Sequence, residues 1–165
     1  SIAVESKKGV GSTFTVEIPL ELPEQVIQSE QKQHLHRDLT GIHVLMAEDN
    51  DLNAEIAIEL LNEEGMFIDR VKNGVECIEQ IEKQPTDYYS LILMNIQMPI
   101  LDGYYTTQKI RRMNDPIRSH ISIIAMTDNA FAEDKKKALE FRMNDHIAKP
   151  IDVKKVEEVI ISVLK

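Results

Sequence analysis

Residues 91–99 read LILMNIQMP, and this stretch decides the fold class of the chain. Four large apolar residues in succession are typical of a short strand that is covered on both faces. A polar segment with a proline follows at once, so we predict that the strand ends at Asn95. Such runs belong to parallel sheets with helices on both sides, which indicates an α/β protein.

The alternation of short apolar runs with amphipathic stretches continues from Ile42 to the end of the chain. It predicts a doubly wound sheet of five parallel strands with helices on both faces. Two of the helices show an apolar stripe at helical spacing, and we expect both stripes to face the core. The first stripe consists of Leu52, Ile56 and Leu60, and its helix is expected to end at Gly65. The second stripe consists of Val153, Val156, Ile160 and Val163. The predicted strands are His43–Ala47, Phe67–Val71, Leu91–Met94, Ile121–Met126 and His146–Ala148.

Residues 1–20 have a different pattern, in which apolar and polar residues alternate on both sides of a glycine-rich turn. This pattern predicts a β-hairpin, which is marginal in water unless its apolar face is covered. Residues 21–41 are rich in Glu, Gln, His and Lys, which indicates a linker. We expect His34 and His36 in this linker to be solvated, because no acidic or cysteine partner accompanies them.

The composition excludes several classes of function. The net charge of -9 and the pI near 5.0 argue against nucleic-acid binding and against direct contact with an anionic membrane. No apolar run reaches the ~20 residues that span a bilayer, and no signal peptide is visible, so we expect a cytoplasmic chain. Cys77 lies in an apolar helical pattern, and we predict a buried, unreactive thiol.

Polar residues follow four of the predicted strands, at the edge where ligands bind in folds of this class. An acid pair alone also fits a solvated turn or a helix cap. A lysine and a hydroxyl group that reach the same edge from distant sequence favour a site for Mg²⁺ and a phosphoryl group. These residues are Glu48 and Asp49, Asn95, Thr127 and Lys149.

Four motifs carry these residues, and together they resemble a response regulator receiver domain over residues 42–165. The motifs are VLMAEDN at 44–50, LILMNIQMP at 91–99 with LDG at 101–103, AMT at 125–127, and HIAKP at 146–150. The resemblance implies a flavodoxin-like fold and a phosphoryl transfer from a partner's histidine to an aspartate. It assigns Mg²⁺ to Glu48, Asp49, Asn95 and the Gln97 carbonyl, and the phosphoryl contacts to Thr127 and Lys149.

The first segment resembles the final hairpin of a histidine-kinase ATP-binding domain, through IAVES at 2–6, GVGSTFTV at 9–16 and IPL at 18–20. A kinase tail before a receiver implies a hybrid sensor histidine kinase. The partners would be a histidine-phosphotransfer or kinase dimerisation domain, and the chain would be a cytoplasmic part of a membrane-bound sensor. The exposed hairpin edge also allows pairing between two copies, so a homodimer stays open.

This chain departs from the receiver pattern at Asn95, where the family has the phosphate-accepting aspartate. A neutral amide is a poor nucleophile and a weaker Mg²⁺ ligand, so we predict that phosphotransfer is blocked. Asp128 adds a carboxylate where the family has a small residue. His146 stands at the position of a switching aromatic residue, although a buried packing histidine fits equally well. We expect a cis peptide bond between Lys149 and Pro150.

Three functions remain to be weighed. The retained acids, threonine and lysine favour an otherwise competent phosphorelay receiver that one change has disabled. A phosphorylation-independent docking module, or pseudo-receiver, is the alternative. A Mg²⁺-dependent phosphatase is disfavoured, because neither strand end carries an acidic nucleophile with a second acid two residues on. Asp102 is expected to support the turn before Gly103 and not to replace the acceptor.

Overall fold

The structure is a computed structural model that describes residues 1–18, 39–128 and 132–164. The predicted linker therefore lies outside the described residues except for positions 39–41, and so do His34 and His36. The chain divides into two units, residues 1–36 and 37–165, which are described separately below.

The first unit contains the predicted hairpin. Strands β1 (Ile2–Lys7) and β2 (Gly11–Val16) pair in antiparallel register, with Ile2 opposite Val16. Gly9 has a φ of +82°, a backbone conformation that glycine adopts readily in a turn. Because alternate residues of a strand share a face, one face of this hairpin is apolar. It carries the exposed side chains of Ile2, Val4, Phe14 and Val16.

The second unit confirms the predicted α/β fold. Its five parallel strands lie in the order β4-β3-β5-β6-β7. The strands are β3 (His43–Ala47), β4 (Phe67–Val71), β5 (Leu91–Asn95), β6 (Ser122–Thr127) and β7 (Asp145–Ala148). The helices are α1 (Asp51–Glu63), α2 (Gly74–Lys83), α3 (Gly103–Arg111), α4 (Pro116–His120), α5 (Ala132–Glu140) and α6 (Val153–Val163).

Two hydrophobic clusters cover the two faces of the sheet. Leu91 and Leu93 of β5 belong to the cluster that contains α1 and α6 residues. Ile92 and Met94 of the same strand belong to the cluster that contains α2 and α3 residues. Since neighbouring residues of a strand point to opposite faces, a strand covered on both sides must be apolar throughout. This explains the uninterrupted apolar run from which the fold was predicted.

One predicted core stripe is wrong. Leu52 and Ile56 of α1 are 63% and 50% exposed, and the helix buries Ala54, Ala57 and Leu61 instead. Both sets have helical spacing, and the small alanines let the helix lie closer to the sheet than the larger side chains would. The C-terminal stripe is confirmed, because Val156 and Ile160 are fully buried while Val153 and Val163 are half-buried.

Three further features concern the core and its surroundings. Leu39, which was predicted to lie in the linker, packs into the core cluster that contains α1 residues.

Cys77 is buried on α2, as predicted, and this burial raises the pKa of its thiol to about 12. Within the described ranges, none of the helices combines the length and the apolar character needed to cross a membrane.

Candidate functional site

The end of β3 places the acid pair at the carboxyl edge of the sheet. The Glu48 backbone N–H donates to the Val71 carbonyl at 3.0 Å, and the residue is 2% exposed. Asp49 is exposed. Asn50 caps α1 by accepting a hydrogen bond from the Asn53 backbone N–H at 3.1 Å. The chain therefore turns into a helix directly after the two acids, so that both carboxylates stay at this edge.

Arg70, on the neighbouring strand β4, holds the backbone of this turn. Its Nε donates to the Glu48 carbonyl at 2.9 Å, and its Nη2 donates to the Asp49 carbonyl at 3.2 Å. It also forms an ion pair with Asp51, as does Lys72, each at 2.8 Å. Hydrogen bonds from Lys72 and Arg70 lower the pKa of Asp51 from its ordinary value. Sequence analysis missed Arg70, although a basic residue near the end of strand FIDRV was a usable signal.

Asn95 ends β5, and its side chain lies at the centre of the predicted ligand set. It is 5% exposed. Its Nδ2 donates to Asp49 Oδ1 at 2.9 Å, to the Gln97 carbonyl at 3.0 Å and to Glu48 Oε1 at 3.3 Å. Carboxylates and carbonyls only accept hydrogen bonds, so the amide nitrogen faces them. The amide group thus bridges the three oxygens that the resemblance assigns to Mg²⁺.

Lys149 brings a positive charge to the buried acid. Its Nζ lies 2.5 Å from Glu48 Oε2 and 3.9 Å from Asp128 Oδ1. Its backbone N–H donates to the Thr127 carbonyl at 2.7 Å, which joins the ends of β6 and β7. The Lys149–Pro150 peptide bond is cis, as predicted. Glu48 therefore has a cation on one side and the Asn95 amide on the other.

Thr127 lies beside a hollow of about 90 Å³ that opens next to Asn95. Asp128 lines the same hollow, and the Asp128 side chain is 65% exposed. Tyr104, which sequence analysis missed, forms part of the wall; its ring lies 4.6 Å from that of Phe141. A group attached at position 95 would therefore lie in a hollow lined by Thr127 and Asp128.

Two candidates of the sequence analysis lie apart from this cluster. Asp102 caps α3 by accepting from the Tyr105 backbone N–H at 2.8 Å, which is the turn-supporting role expected of it. His146 is half-buried on β7, with its Nδ1 3.3 Å from Asp145 Oδ1. Among the described residues, the structure brings together the side chains of Glu48, Asp49, Asn95 and Lys149 and the backbone carbonyl of Gln97, with Thr127 at the adjoining hollow. His146 takes part in none of these contacts.

The donor set agrees in type with Mg²⁺, which prefers carboxylate and carbonyl oxygens. Glu48, Asp49 and the Gln97 carbonyl supply such oxygens, whereas Asn95 turns its nitrogen towards them. Mg²⁺ would require this amide to rotate and present Oδ1. No group of three His, Cys, Asp or Glu side chains suited to a metal occurs among the residues with described positions.

Comparison with known proteins identifies relatives of the chain. The sequence profile of the response regulator receiver domain matches residues 44–161. The sensor protein EvgS of Escherichia coli K12 is 32% identical over 91% of this chain, which spans 12% of that relative. Hybrid signal transduction histidine kinase I of Dictyostelium discoideum is 40% identical over 71% of the chain, which spans 7% of it. The chain is thus a small fraction of these relatives' length.

Solved structures give the same result. The receiver domain of the sensor histidine kinase PA1611 from Pseudomonas aeruginosa, with a magnesium ion in its active site cleft, is 30% identical over 76% of this chain and 98% of that one, at a TM-score of 0.67. The receiver domain of Ssk1 from Saccharomyces cerevisiae, solved with the histidine phosphotransfer protein Ypd1, is 27% identical over 74% of this chain and 88% of that one, at a TM-score of 0.64. Fold and sequence therefore show that this chain belongs to the response regulator receiver domain family.

Proposed function

We propose that this chain is the receiver module of a hybrid sensor histidine kinase that docks a histidine-bearing phosphodonor domain without accepting its phosphoryl group. One observation carries the proposal: the Asn95 side chain occupies the acceptor position and donates hydrogen bonds to the acids around it. The positions of Lys149 and Thr127 in the sequence fit the receiver motifs, and Lys149 pairs with Glu48 while Thr127 lines the hollow beside Asn95. The departure that blocks transfer lies at the group that would react, and Asp128 adds a carboxylate to the same hollow.

The chemistry explains why transfer stops at this residue. In an aspartate receiver a carboxylate oxygen bonds to phosphorus, the phosphorus–nitrogen bond of phosphohistidine breaks, and its electron pair stays on the imidazole. The amide oxygen of Asn95 has no negative charge to lose in such a step, and its lone pairs are weak nucleophiles. Its nitrogen is already committed to three acceptors. The expected result is a domain that binds a donor and leaves it phosphorylated.

Mg²⁺ binding should also be weakened. When bound, Mg²⁺ would offset negative charge on phosphoryl oxygens, and Glu48, Asp49 and the Gln97 carbonyl would hold it. To bind here it must displace the three hydrogen bonds from Asn95, and it gains one fewer carboxylate in return. Both effects lower the affinity relative to an aspartate form.

The surface around the site supports docking of a helical partner. Leu52 and Ile56 of α1 expose large apolar side chains, which the helix does not use for its own packing. Ile56 lines the same hollow as Glu48, Lys149 and Pro150, so this apolar surface adjoins the acid cluster. In the solved complex of Ssk1 with Ypd1, a receiver domain binds a histidine phosphotransfer protein. We infer the same class of partner for this chain.

The first unit fits the end of a kinase ATP-binding domain, with residues 1–20 as its last hairpin, 21–41 as a linker and 42–165 as the receiver. The apolar face formed by Ile2, Val4, Phe14 and Val16 is exposed, so it is suited to pack on preceding kinase residues. Such a protein would hold this part in the cytoplasm. The competing arrangement is a homodimer in which the hairpins of two copies pair. Solution scattering from the chain alone tests it, because a dimeric mass would favour this pairing and a monomeric mass would exclude it.

A phosphorylation-independent pseudo-receiver is the second candidate, and the Asn95 geometry favours it specifically. The amide satisfies Asp49, Glu48 and the Gln97 carbonyl without a metal ion. Because the Asn95 amide already occupies these acceptors, the site needs neither Mg²⁺ nor phosphate to keep its shape. Docking would then be the whole function.

Acyl-phosphate labelling separates the two candidates. The chain and its Asn95→Asp variant are incubated with Mg²⁺ and acetyl phosphate, and the intact mass is read. Labelling of the variant alone indicates a competent receiver silenced at one position. Labelling of neither supports the pseudo-receiver, and labelling of the unaltered chain refutes position 95 as the acceptor.

A further inference from the structure

A groove of about 620 Å³ runs between α2 and the segment that joins α3 to α4. On the α2 side it is lined by Val75, Ile78, Glu79 and Glu82. Steps of three, four and seven residues place these side chains on one face of the helix, over a length of roughly 10 Å. Residues of α2 and α3 belong to one core cluster and residues of α1 and α6 to the other, so the groove lies on the sheet face opposite to α1.

The floor of this groove is apolar. Val75 is 38% exposed, and Ile78 and Met113 are half-buried and pack against the core cluster beneath them. An occupant that covers these three side chains removes apolar surface from water, which favours binding.

Hydrogen bonds fix the far end of the groove. Asp115 caps α4 by accepting from the Ile117 and Arg118 backbone N–H groups at 2.9 and 3.1 Å. Its other carboxylate oxygen accepts from the Thr86 hydroxyl at 3.0 Å, and Arg118 Nη2 donates to the Gln84 carbonyl at 2.9 Å. These contacts join α4 to the end of α2. The groove therefore has its shape before anything binds, which lowers the cost of binding.

The two sides of the groove carry opposite charges. Glu79 and Glu82 form an acidic wall on α2, and Lys109 and Arg112 form a basic wall at the end of α3. All four residues are exposed. Glu79 lies 3.9 Å from Lys83 of its own helix, and among the described side chains no ion pair joins one wall to the other. Both walls are thus available to charges of a binding partner.

The balance of charge in the groove differs from that of the whole chain. Three acidic and three basic residues line the groove, so their formal charges cancel, whereas the net charge of the chain is -9. The acidic wall repels a purely acidic ligand, and the basic wall repels a purely basic one. The groove therefore selects an occupant that carries both signs of charge, one on each side of an apolar strip.

We propose that this groove binds an amphipathic helix of a protein partner. The apolar stripe of that helix covers the groove floor, its basic residues face the acidic wall, and its acidic residues face the basic wall. Helices commonly bind to apolar grooves in this way. Because α1 lies on the opposite face of the sheet, the chain can hold this partner and a histidine-bearing domain together. Binding in the groove does not require docking at α1.

Stapled helical peptides with the same leucine stripe test the charge pattern. One bipolar peptide has Lys along one edge and Glu along the other, a second has Lys on both edges, and a third has Glu on both. Fluorescence anisotropy measures their affinities in ~0.15 M salt, where the Debye length of about 8 Å suppresses attraction by distant charges. The bipolar peptide should bind most tightly.

Reversal of the acidic wall should change this order. The double variant with Glu79→Lys and Glu82→Lys has two basic walls, so it should prefer the peptide with Glu on both edges. Its affinity for the bipolar peptide should fall about tenfold, which corresponds to about 1.4 kcal/mol. The matched control is Glu59→Lys with Glu63→Lys, which makes the same change of net charge at exposed positions of α1 and should keep the original order.

NMR spectra locate the bound peptide, and the methyl signals of Val75, Ile78 and Met113 should shift while those of Leu52 and Ile56 stay in place. Equal affinities for the three peptides, an order that the α1 control changes as much as the groove variant does, or shifts confined to α1 would each overturn the proposal. Sedimentation of the chain alone tests a second copy as occupant. A dimer that the groove variant abolishes and the α1 control retains would assign the groove to self-association and overturn the helical partner.

Discussion

Replacing Asn95 by aspartate should destabilise the folded chain when Mg²⁺ is absent. The substitution puts a carboxylate oxygen where Nδ2 now lies, 2.9 Å from Asp49 Oδ1 and 3.3 Å from Glu48 Oε1. The two N–H groups that three acceptors now share are lost, and the same three contacts become contacts between acceptors. The replaced group is 5% exposed, so water cannot readily separate the charges.

The size of the effect follows from these contacts. A hydrogen bond to a charged group contributes about 1.5–3 kcal/mol to stability. At an effective dielectric constant near 20, two unit charges ~4 Å apart repel by about 4 kcal/mol. Asp49 is exposed and can rotate away, and Lys149 offsets part of the charge on Glu48. We therefore expect a net loss of about 3 kcal/mol, which lowers the melting temperature of a domain of this size by roughly 10 °C.

Circular dichroism melts of both proteins, in EDTA and in Mg²⁺, measure this difference. Mg²⁺ at ~100 times its dissociation constant would return about 2.7 kcal/mol to the aspartate form, and it should leave the asparagine form nearly unchanged. Asn114→Asp, at an exposed loop position, controls for the added charge. An aspartate form that melts as high as the parent in EDTA would refute the idea that the Asn95 amide stabilises the acid cluster.

Three other substitutions test the remaining contacts. Lys149→Met should lower the free energy of unfolding, measured by urea denaturation, by about 3 kcal/mol, because it leaves the buried Glu48 without its cation. The double variant with Glu48→Gln should regain much of this stability. If it regains none, the two side chains do not stabilise each other. Arg111→Met should lower the free energy of unfolding by about 2–4 kcal/mol, because Arg111 donates to the Ser119, Ile121 and Arg142 carbonyls and to Asn144 Oδ1. The control is Arg112→Met at an exposed position, and an equal loss in both variants would contradict this role of Arg111. The pKa of the Cys77 thiol is about 12 in the folded chain and 9.0 is the ordinary value for an exposed thiol, so the unfolded chain loses this proton at a lower pH than the folded chain. The free energy of unfolding should therefore fall as the pH rises from about 9 towards 12. Cys77→Ala should weaken that fall in pH-dependent melts, and identical profiles would exclude a contribution from the thiol.

The fold was predictable because each strand of the sheet carries its own signal. Residues 91–95 are buried on both faces of the sheet, which is the place that an uninterrupted apolar run of this length predicts. The α1 surface was not predictable in the same way. Its sequence offers two apolar rows at helical spacing, and only packing against the sheet shows that Ala54 and Ala57 are inside while Leu52 and Ile56 are outside.

The candidate site was predictable in its members but not in its contacts. Parallel strands bring their carboxyl ends to one edge, so Glu48, Asn95 and Lys149 had to lie near one another. Sequence could not show that the Asn95 amide bridges the acids, since this depends on ångström-scale side-chain geometry. Nor could it show the positive φ of Ile100, because isoleucine gives no signal for that conformation.

The retained acids and lysine carry less information about phosphotransfer than the sequence suggests. With asparagine at position 95, Glu48 and Asp49 accept the amide hydrogen bonds, and Lys149 pairs with Glu48. Removal of Lys149 leaves the buried Glu48 without its cation, and removal of either acid takes an acceptor from the buried Asn95 amide. Each change costs stability whether or not the domain ever meets phosphate. These residues would therefore persist in a pseudo-receiver as readily as in a silenced receiver. The exposed apolar side chains of α1 bear on docking instead, because α1 does not use Leu52 or Ile56 to pack against the sheet and Ile56 lines the hollow beside Glu48 and Lys149.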